Sequence, residues 1–455
     1  MSPSMHIHIL GICGTFMGGL AIIARQLGFK VTGSDQNVYY PMSEMLAANQ
    51  IEISLGYTAQ NLQPHPDLVI MGNVCSRGNE AVEYVLNAKI PFCSGPEWLA
   101  RNVLHDRHVL AVSGTHGKTT TTSMLTWILT FAGLNPGYLI GGVANDFRQT
   151  AGLGEGYFVI EADEYDCAFF DKRPKFLHYF PRTLILNNIE FDHADIYSDI
   201  SAIKNQFHLL LKTVPNDGLI LYPEFDRNIK DVLARGVWSH INTFVGLHSE
   251  WRAKLIQTDG SEFHVFLKEV FMGSVKWQLF GQHNVENALA AIAAAQHVGI
   301  KPEIAVSALC TFTGVKRRLE IAASINNITI YDDFAHHPTA IEKTLKALRA
   351  KVGHKPIIAI LQFASNTMKV GAHDSADVAA ALNTADQIIL LKPNFEVVDL
   401  CRHLTRPILI CETVDEIVTQ LCERLHPEDQ VLLMSNKSFD GLRQKLVDKL
   451  QKSYV

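Results

Sequence analysis

Lys118 and Thr119 stand where an apolar, strand-like run passes through a glycine-rich segment into a helix-like run. Backbone N–H groups at the start of a helix point toward a bound anion, and a lysine beside them adds positive charge. A threonine directly after that lysine is placed to bind Mg²⁺. The pattern therefore predicts a loop that binds the phosphates of a nucleoside triphosphate. The predicted loop consists of Gly114, Thr115, His116, Gly117, Lys118, Thr119 and Thr120.

The glycine spacing in this loop differs from the commonest nucleotide-binding pattern. Four residues usually separate the first glycine from Gly-Lys-Thr, whereas only Thr115 and His116 separate Gly114 from Gly117. An ordinary strand-to-helix turn is the alternative interpretation. The apolar strand before the loop and the apolar helix after it favour phosphate binding.

Carboxylates are concentrated at the end of another predicted strand. Four of them occur within the six residues Glu161-Ala-Asp163-Glu164-Tyr-Asp166, and like charges this close repel one another unless a cation or solvent intervenes. Mg²⁺ prefers oxygen ligands, including phosphate oxygens. Glu161 comes first, so we expect it to face the nucleotide and its metal. A solvated acidic loop is the alternative.

A third strand end carries Asp192 and His193, after the run Asn187-Asn-Ile-Glu-Phe. The carboxyl ends of neighbouring parallel strands meet at the edge of the sheet where α/β proteins bind ligands. We therefore expect Gly114, Glu161 and Asn187 to lie close together. This position favours a metal or phosphate contact for His193, with a structural or surface histidine as the alternative.

Asn284 and Asn287 begin an alanine-rich helical segment and are three residues apart, so they share a helix face. An amide donates and accepts at once, which suits the edge of an adenine ring. Capping of the helix by Asn284 is the alternative. Farther along, residues 331–338 place acidic and imidazole groups at a strand end, with Pro338 suited to the first turn of a helix.

The glycine-rich turn after the first predicted strand indicates a second binding site. It reads Gly11-Ile-Cys-Gly14-Thr-Phe-Met-Gly18, and Asp35 lies near the position of a ribose-binding acid in dinucleotide-binding proteins. Because the glycine spacing departs from Gly-x-Gly-x-x-Gly, binding of another nucleotide diphosphate is favoured over an NAD-dependent dehydrogenase. A turn that serves only helix packing is the third interpretation.

These segments lie within alternating strand-like and helix-like runs, which predict parallel sheets with crossover helices. A chain of 455 residues exceeds one typical core, and we expect three α/β units over residues 1–107, 108–313 and 314–455. Residues 218–280 are predicted to form an insertion or sheet edge, and residues 311–318 a polar linker. Strands are predicted at 6–10, 30–34, 67–72, 157–161, 183–187, 329–332, 357–363, 387–392, 407–411 and 430–435, and helices at 20–27 and 284–297.

Composition narrows the class of protein. A net charge of −6 gives no basic face for nucleic acid, and no run of eighteen apolar residues predicts a membrane span. The eight cysteines are scattered without Cys-x-x-Cys, which indicates reduced thiols in a cytoplasmic protein. We expect small-molecule partners, no nucleic acid or membrane partner, and a monomer or weak homo-oligomer.

Taken together, the motifs resemble those of the Mur ligase family, which builds the peptides of the bacterial cell wall. The resemblance covers nearly the whole chain and implies a Rossmann-like N-terminal domain, a central domain like that of P-loop ATPases, and a Rossmann-like C-terminal domain. The matching motifs are residues 114–121, 161–166, 187–193, 281–284 and 332–338.

Within the family, the chain most resembles ligases that join L-alanyl-γ-D-glutamyl-meso-diaminopimelate to UDP-N-acetylmuramate in peptidoglycan recycling. Residues 11–19, 164–173 and 365–369 favour these members over those that add L-alanine alone, which remain the alternative. The implied reaction uses ATP and Mg²⁺ and passes through an acyl phosphate on the muramate carboxylate. Such chemistry depends on positioning and on neutralising charge at the transferred phosphoryl group.

The resemblance also implies a role for individual residues. Lys118 would bind the β- and γ-phosphates, Thr119 and Glu161 one Mg²⁺, and His193 a second. Closure of the C-terminal domain would bring Arg318 onto the phosphates and Asp333 onto the ribose. The remaining implied contacts are Asn284 and Asn287 with adenine; Gly11, Gly14, Thr15, Met17, Gly18 and Asp35 with the UDP sugar; and His336, Ser365, Asn366 and Lys369 with the peptide.

Two segments depart from the pattern of these ligases where the peptide should bind. Phe363-Ala364 stands in place of the usual Pro-Arg, and residues 437–441 replace a usual Gly-Gly-Phe-Gly-Gly. The missing arginine removes a bidentate partner for a carboxylate, for which Lys437 would substitute only as a point charge. The peptide accepted is therefore left open, and no lysine is assigned a carbamate.

Overall fold

The computed structural model describes residues 5–38, 42–147, 149–369, 371 and 373–453. Its first unit is a five-stranded parallel sheet. The strand order reverses beside the first strand, and open α/β sheets bind ligands at such a point. Across the sheet the strands are Glu52–Leu55, Lys30–Asp35, His6–Leu10, Leu68–Met71 and Phe92–Ser94. The helices are Thr15–Gln26, Met42–Ala48, Glu80–Asn87 and Gly95–Leu99, with short turns at Ala59–Leu62 and Ala100–Leu104.

The central unit is a ten-stranded sheet in which the seven strands from Trp251–Leu255 to Gly137–Leu139 run parallel. Across the sheet the strands are Val270–Lys276, Glu262–Leu267, Trp251–Leu255, His240–Phe244, Leu219–Pro223, Thr183–Leu186, His108–Ser113, Tyr157–Ala162, Gly137–Leu139 and Ala151–Gly152. The hairpin Asp166–Ala168 and Asp171–Pro174 lies outside this sheet. The helices are Lys118–Phe131, Ile200–Leu211, Arg227–Leu233, Gln282–His297 and Pro302–Leu309, with a turn at Lys175–His178.

Small side chains let two helices of the central unit pack closely on this sheet. The alanine-rich helix Gln282–His297 contacts Lys118–Phe131, and its alanines from Ala288 to Ala295 are buried. Because Ala has the best helix propensity and the smallest apolar side chain, the two helix axes can approach without loss of helicity. This packing brings the start of Gln282–His297 beside the start of Lys118–Phe131.

The third unit is a six-stranded sheet with apolar clusters on both faces. Across it the strands are Glu320–Ile325, Ile328–Asp333, Gln430–Met434, Ile357–Leu361, Gln387–Leu391 and Ile408–Cys411. Only Glu320–Ile325 pairs antiparallel with its neighbour. The helices are Pro338–Val352, Asn366–Lys369, Ser375–Leu382, Val398–His403, Val414–Arg424 and Leu442–Ser453, with a turn at Phe439–Gly441.

The structure confirms the predicted parallel α/β units and each predicted strand, with ends that differ by at most two residues. Residues 219–276 extend the central sheet to its edge, as predicted for this region. Several short strands were not predicted: Glu52–Leu55, Phe92–Ser94, Gly137–Leu139, Ala151–Gly152, Asp166–Ala168, Asp171–Pro174 and Glu320–Ile325. Glu52–Leu55 and Glu320–Ile325 are partly exposed edge strands without a continuous apolar run, and the other five span only two to four residues. No helix among the described residues is long and apolar enough to cross a membrane.

The first helix begins at Thr15, earlier than the predicted start at Leu20. Gly18 and Gly19 suggested a turn, but both lie inside the helix at close contacts. A Cβ on Gly18 would lie 2.2 Å from the sulfur of Met42, and one on Gly19 would lie 2.3 Å from Leu139 Cδ1 in the central unit. These glycines therefore serve packing of the helix, including packing between two units.

Candidate active site

Three strand ends of the central sheet meet at one site. Val112 pairs with Glu161 in the sheet register, and the Asn187 N–H donates to the Ser113 carbonyl at 2.9 Å. A Cβ on Gly114 would lie 3.2 Å from Asn187 Cβ. The predicted grouping of Gly114, Glu161 and Asn187 is thus present, and it follows from parallel pairing alone.

The glycine-rich loop has the conformation of an anion cradle. Gly114 and Gly117 have φ of 131° and 83°, which L-residues with a side chain rarely adopt. The His116 N–H donates to Asn188 Oδ1 at 2.8 Å, fixing the loop against the neighbouring strand end. The helix that follows has no side-chain cap at Gly117, so the first N–H groups of the helix are available to a ligand.

The other side chains predicted to bind the nucleotide differ in their burial and in their hydrogen-bond partners. The Thr115 hydroxyl accepts from the Glu190 N–H at 2.9 Å, while Thr120 is buried in the first helical turn. Asn287 lies against the loop, since a Cβ on Gly117 would be 2.7 Å from its Oδ1. Asn284 does not cap its helix, because the N-cap is Gly281 and the Asn284 amide donates to the Phe280 carbonyl at 2.8 Å.

Lys118 is a buried cation held by two carboxylates. Its Nζ lies 2.9 Å from Glu164 Oε2 and 3.4 Å from Asp163 Oδ1. Burial acts to lower the pKa of Lys118, but Glu164 and Asp163 outweigh it and raise the pKa above the ordinary value. Lys118 is therefore charged and positioned to exchange carboxylate partners for phosphate oxygens.

Two groups of side chains offer ligands to a hard cation. In the first, the Thr119 hydroxyl donates to Glu161 Oε2 at 3.2 Å, and the Gly141 N–H donates to Oε1. In the second, Asp163, Glu164 and His193 place one ligand atom each within 4.8 Å of one another. Mg²⁺ binds carboxylate and hydroxyl oxygens beside nucleotide phosphates, so both groups suit that ion, with the imidazole as the less typical ligand.

His193 is held in a backbone conformation unusual for a histidine, with φ of 58°. Its Nε2 lies 3.5 Å from Glu164 Oε1. Burial lowers the pKa of His193, but the hydrogen bond and charge of Glu164 outweigh this and raise the pKa. Sparsely populated backbone conformations persist where the surroundings enforce them, often at functional sites.

A first cavity of about 320 Å³ lies at the carboxyl end of the first sheet. Its lining includes Gly11, Gly14, Thr15, Met17 and Asp35, as predicted for the second binding site, together with Cys167 and Lys175 of the central unit. Gly18 does not line it and packs on Met42 instead. The helix that follows Gly14 has no side-chain cap, so its first N–H groups are available to a ligand.

Asp35 fixes the shape of this first cavity. Its Oδ2 accepts from the Cys13 N–H at 2.9 Å, and its Oδ1 accepts from the Asn37 N–H and the Tyr57 hydroxyl. A carboxylate has about four acceptor positions, so Asp35 keeps capacity for a ligand hydroxyl while holding the glycine turn.

The third unit is docked on this site through polar contacts. Arg318 Nη2 donates to the Thr119 hydroxyl at 3.3 Å, and the Thr367 hydroxyl donates to Asp192 Oδ1 at 2.7 Å. Asp333 holds the segment that carries Arg318, because its carboxylate accepts from the Leu319 N–H at 2.7 Å. Asp333 therefore stabilises the segment around Arg318, whether or not it also contacts a ribose.

A second cavity of about 170 Å³ lies between the central and third units. Its lining includes His193, His336, Ser365 and Lys437. Burial lowers the pKa of His336 to about 4, so this ring is neutral at pH 7. Its Nδ1 faces the Phe334 carbonyl at 2.9 Å and must carry the proton, which leaves Nε2 as an acceptor.

The other predicted peptide residues adjoin this second cavity. The Ser365 hydroxyl accepts from the Met368 N–H at 3.1 Å. Lys369 ends the short helix and lies beside Lys437, whose pKa it lowers. Asn366 begins that helix, and its side chain lies outside the described part of the chain.

The sequence alone left out several residues that the structure brings to the site. Lys175 lies 2.9 Å from Asp163 Oδ2, and Thr367 links two units. Asp163 and Glu164 were noticed as part of an acidic cluster, but nothing in their spacing showed that they hold Lys118. The Asp163–Lys175 pair spans twelve positions of irregular chain, and no periodicity marks such a pair.

Comparison with known proteins agrees with this arrangement. Three family models match successive parts of the chain: the Mur ligase family catalytic domain over residues 6–107, the Mur ligase middle domain over residues 112–295, and the Mur ligase glutamate ligase domain over residues 317–437. Their order follows that of the three sheets.

Individual relatives cover the chain almost completely. The UDP-N-acetylmuramate–L-alanyl-γ-D-glutamyl-meso-2,6-diaminoheptandioate ligase of Escherichia coli strain K12 is 54% identical over 98% of this chain and 99% of its own length. The UDP-N-acetylmuramate–L-alanine ligase of Caldanaerobacter subterraneus is 30% identical over 98% of both chains. The crystal structure of a murein peptide ligase from Psychrobacter arcticus is 43% identical, covers 98% of this chain and 99% of its own, and superposes with a TM-score of 0.77. The chain belongs to the Mur ligase family.

Proposed function

We propose that this protein is an ATP- and Mg²⁺-dependent ligase that joins the tripeptide L-alanyl-γ-D-glutamyl-meso-diaminopimelate to UDP-N-acetylmuramate, in peptidoglycan recycling. The observation that carries the proposal is the position of the Lys118 ammonium group. It lies at the phosphate loop and pairs with Asp163, which also pairs with Lys175 in the lining of the first cavity. It pairs as well with Glu164, which contacts His193 in the lining of the second cavity. The full-length identity to the Escherichia coli ligase supports the choice of substrates over L-alanine alone.

The three units divide the substrates among them. Residues 1–107 would bind the UDP sugar in the first cavity, residues 108–313 would bind ATP, and residues 314–455 would bind the peptide at the second cavity. ATP belongs to the cell interior, so we place the reaction in the cytoplasm. Mg²⁺ bound by Thr119, Glu161 and His193 would neutralise phosphate charge.

In the first step, a muramate carboxylate oxygen attacks the γ-phosphorus, and the bond from that phosphorus to ADP breaks. Lys118 stabilises charge on the β- and γ-phosphate oxygens, and Arg318 adds a second cation. In the second step, the L-alanine amine attacks the acyl carbon, and phosphate leaves. His336 Nε2 accepts a hydrogen bond from that amine and orients it.

Domain docking serves the same chemistry by excluding water. The contacts of Thr367 with Asp192 and of Arg318 with Thr119 close the second cavity over the loop. An acyl phosphate hydrolyses readily, so a closed cavity protects the intermediate until the amine attacks.

The direct test is an assay of the purified chain with ATP, Mg²⁺ and UDP-N-acetylmuramate. Phosphate release and the mass of the product are measured with the tripeptide and, separately, with L-alanine. We expect ligation with the tripeptide, and loss of at least about a hundredfold in kcat for Lys118→Met, since a buried cation at the phosphoryl group is removed. Lys230→Met, on the helix Arg227–Leu233, is the matched control.

Three results would contradict the proposal. Product with L-alanine alone would identify the alternative ligase activity. Nucleotide binding without any product would indicate a non-catalytic sensor. Binding of a nicotinamide cofactor in place of the UDP sugar would indicate a dehydrogenase.

A further inference from the structure

Lys175 is a buried cation in the wall between the first cavity and the phosphate loop. Its side chain is 14% exposed, and its Nζ lies 2.9 Å from Asp163 Oδ2. Among the described residues that line the first cavity, Lys175 is the only basic one. The ammonium also lies 5.4 Å from the centre of the Tyr165 ring, which stabilises a cation.

One carboxylate connects Lys175 with the lysine of the phosphate loop. Asp163 receives Lys175 on Oδ2 and Lys118 on Oδ1, at 2.9 and 3.4 Å. The two ammonium groups therefore lie on opposite sides of a single carboxylate. Because Lys118 marks where the γ-phosphate binds, Lys175 marks the side of that phosphate that faces the first cavity.

Two basic residues on the hairpin strand Asp171–Pro174, just before Lys175, have a different environment. Lys172 is 71% exposed and pairs with Asp166, and Arg173 is 62% exposed and pairs with Asp171. Neither of them lines the first cavity, whereas Lys175 does, so Lys175 is the one of these three cations that can meet an anion bound there.

Two anionic groups of UDP-N-acetylmuramate enter the first cavity, the diphosphate and the lactyl carboxylate. The helix start at Gly14 and Thr15 offers N–H groups to the diphosphate. The carboxylate must come within about 3–3.5 Å of the γ-phosphorus to react, which places it on the side of the cavity next to Asp163 and Lys118.

We propose that Lys175 binds the muramoyl carboxylate of UDP-N-acetylmuramate and holds it for attack on the γ-phosphate, a role that rests on the proposed function. A carboxylate oxygen forms the bond to phosphorus, the bond from phosphorus to ADP breaks, and ADP leaves with the electron pair. The Lys175 ammonium reduces the repulsion between the muramoyl carboxylate and the γ-phosphate, which must approach each other to react.

The test compares two ligands that differ in the group concerned. UDP-N-acetylglucosamine lacks the lactyl ether and its carboxylate, and otherwise matches UDP-N-acetylmuramate. Calorimetric titration of the full chain should show that Lys175→Met weakens binding of UDP-N-acetylmuramate by about tenfold or more, the usual effect of removing a hydrogen bond to a charged group. Binding of UDP-N-acetylglucosamine and of ADP should stay unchanged.

Matched variants separate this role from a structural one. Lys172 lies three residues before Lys175, on the adjoining hairpin strand, and Lys172→Met should change the binding of neither sugar nucleotide. Lys175→Arg should restore part of the discrimination between the two ligands, because it keeps the charge. A Lys175→Met chain with an unaltered thermal midpoint and ADP affinity is folded and suited to the comparison.

Several outcomes would overturn the proposal. Equal weakening of both sugar nucleotides would assign Lys175 to the diphosphate, and loss of ADP binding would assign it to the support of Lys118 through Asp163. Unchanged binding of UDP-N-acetylmuramate would remove Lys175 from the site while leaving the ligase function intact. Failure of the wild-type chain to bind UDP-N-acetylmuramate would overturn the proposed function and, with it, this role.

Discussion

Lys437 and Lys369 form a pair of like charges at the second cavity. Lys437 lines that cavity, and hydrogen bonding and repulsion from Lys369 lower its pKa. Two neighbouring ammonium groups are relieved by an anion between them, and the peptide substrate carries free carboxylates. Lys437 lines the same cavity as Ala364, the position where the family resemblance implies an arginine.

We therefore predict that Lys437→Gln raises the KM for the tripeptide by about tenfold, since it removes a charge-assisted hydrogen bond. The KM for ATP should not change. Steady-state kinetics with each substrate varied in turn will measure both constants.

Lys392→Gln is the control for this prediction. Lys392 directly follows the strand Gln387–Leu391 of the same sheet and pairs with Glu412 at the surface, where ion pairs contribute little. An unchanged peptide KM for Lys437→Gln, or an equal rise for Lys392→Gln, would show that Lys437 does not bind the peptide.

At the scale of single elements, the phosphate loop depends on Gly117. Its φ of 83° disfavours any side chain, and a Cβ there would lie 2.7 Å from Asn287 Oδ1 and 2.8 Å from Asn187 Nδ2. Gly133, past the other end of the same helix, also has φ of 83° but has no atom within 4 Å of a Cβ. Both positions carry the same conformational cost, about 1–2 kcal/mol for a left-handed residue.

We predict that Gly117→Ala weakens ADP binding by at least about tenfold, because relieving the contacts displaces the N–H groups that face the phosphates. Gly133→Ala should lower the free energy of unfolding by about as much as the strained backbone at Gly117 costs, and it should leave ADP binding intact. Calorimetry with ADP and thermal unfolding will compare the two variants. An equal loss of ADP affinity in both variants would mean that backbone strain causes the loss, and that the contacts of Gly117 with Asn287 and Asn187 do not.

The short helix Asn366–Lys369 docks the third unit on the central one. The Thr367 hydroxyl donates to Asp192 Oδ1 at 2.7 Å and accepts from the Ala194 N–H at 3.3 Å. Loss of this hydroxyl removes one of the two hydrogen bonds that buried Asp192 Oδ1 accepts, the other coming from the His193 N–H at 2.7 Å. We predict that Thr367→Val lowers kcat/KM for the tripeptide by about five- to tenfold, measured by phosphate release at subsaturating peptide.

Thr419→Val is the comparison for Thr367→Val. Thr419 lies on the helix Val414–Arg424 and its hydroxyl donates only within that helix, to the Asp415 carbonyl. If both variants keep wild-type kcat/KM, the Thr367 contact does not support closure.

The sequence predicted most strands and the phosphate loop correctly, because the patterns that indicate them lie within short continuous segments of the chain. Apolar runs bounded by turns located the strands, and the motif at Gly114 to Thr119 lies on one continuous segment. The contacts of Lys175 with Asp163 and of Thr367 with Asp192 bring together residues from different segments or units. Such pairs depend on the packing of whole elements, which spacing along the chain does not encode. Gly18 is the converse case, since it matches a binding motif while the structure packs it against Met42.

At the scale of the molecule, the three units are joined in different ways. A continuous apolar cluster runs from the first unit into the central one, and Gly19 packs against Leu139 across that boundary. The third unit makes polar contacts with the central one, including Thr339 with Glu190 and Lys351 with Asp259, beside a small apolar contact in which Phe280 packs with Tyr331. Apolar burial resists separation more than exposed polar contacts do, so the third unit is the one expected to open.

Buried histidines make the whole molecule sensitive to acid. Burial lowers the pKa of His8, His283 and His336 to about 4, from an ordinary value of 6.5. Below pH 6.5 the unfolded chain binds protons that the folded chain does not, so stability falls as pH drops toward 4. Each such group contributes a slope of up to about 1.4 kcal/mol per pH unit in that window.

His8 allows this effect to be tested away from the active site. It lies on the strand His6–Leu10 and its side chain is buried. Its Nδ1 forms a hydrogen bond with the Thr32 hydroxyl at 2.8 Å, and its Nε2 forms one with the Ser34 hydroxyl at 3.0 Å. His8→Gln removes the titrating group, so the denaturant midpoint of the first unfolding transition should fall less steeply between pH 6.5 and 5 than in the wild type. His105→Gln, at an exposed position, should keep the wild-type slope. A His8→Gln chain with the full wild-type slope would mean that His8 already binds its proton in the folded state, against the burial that the structure gives it.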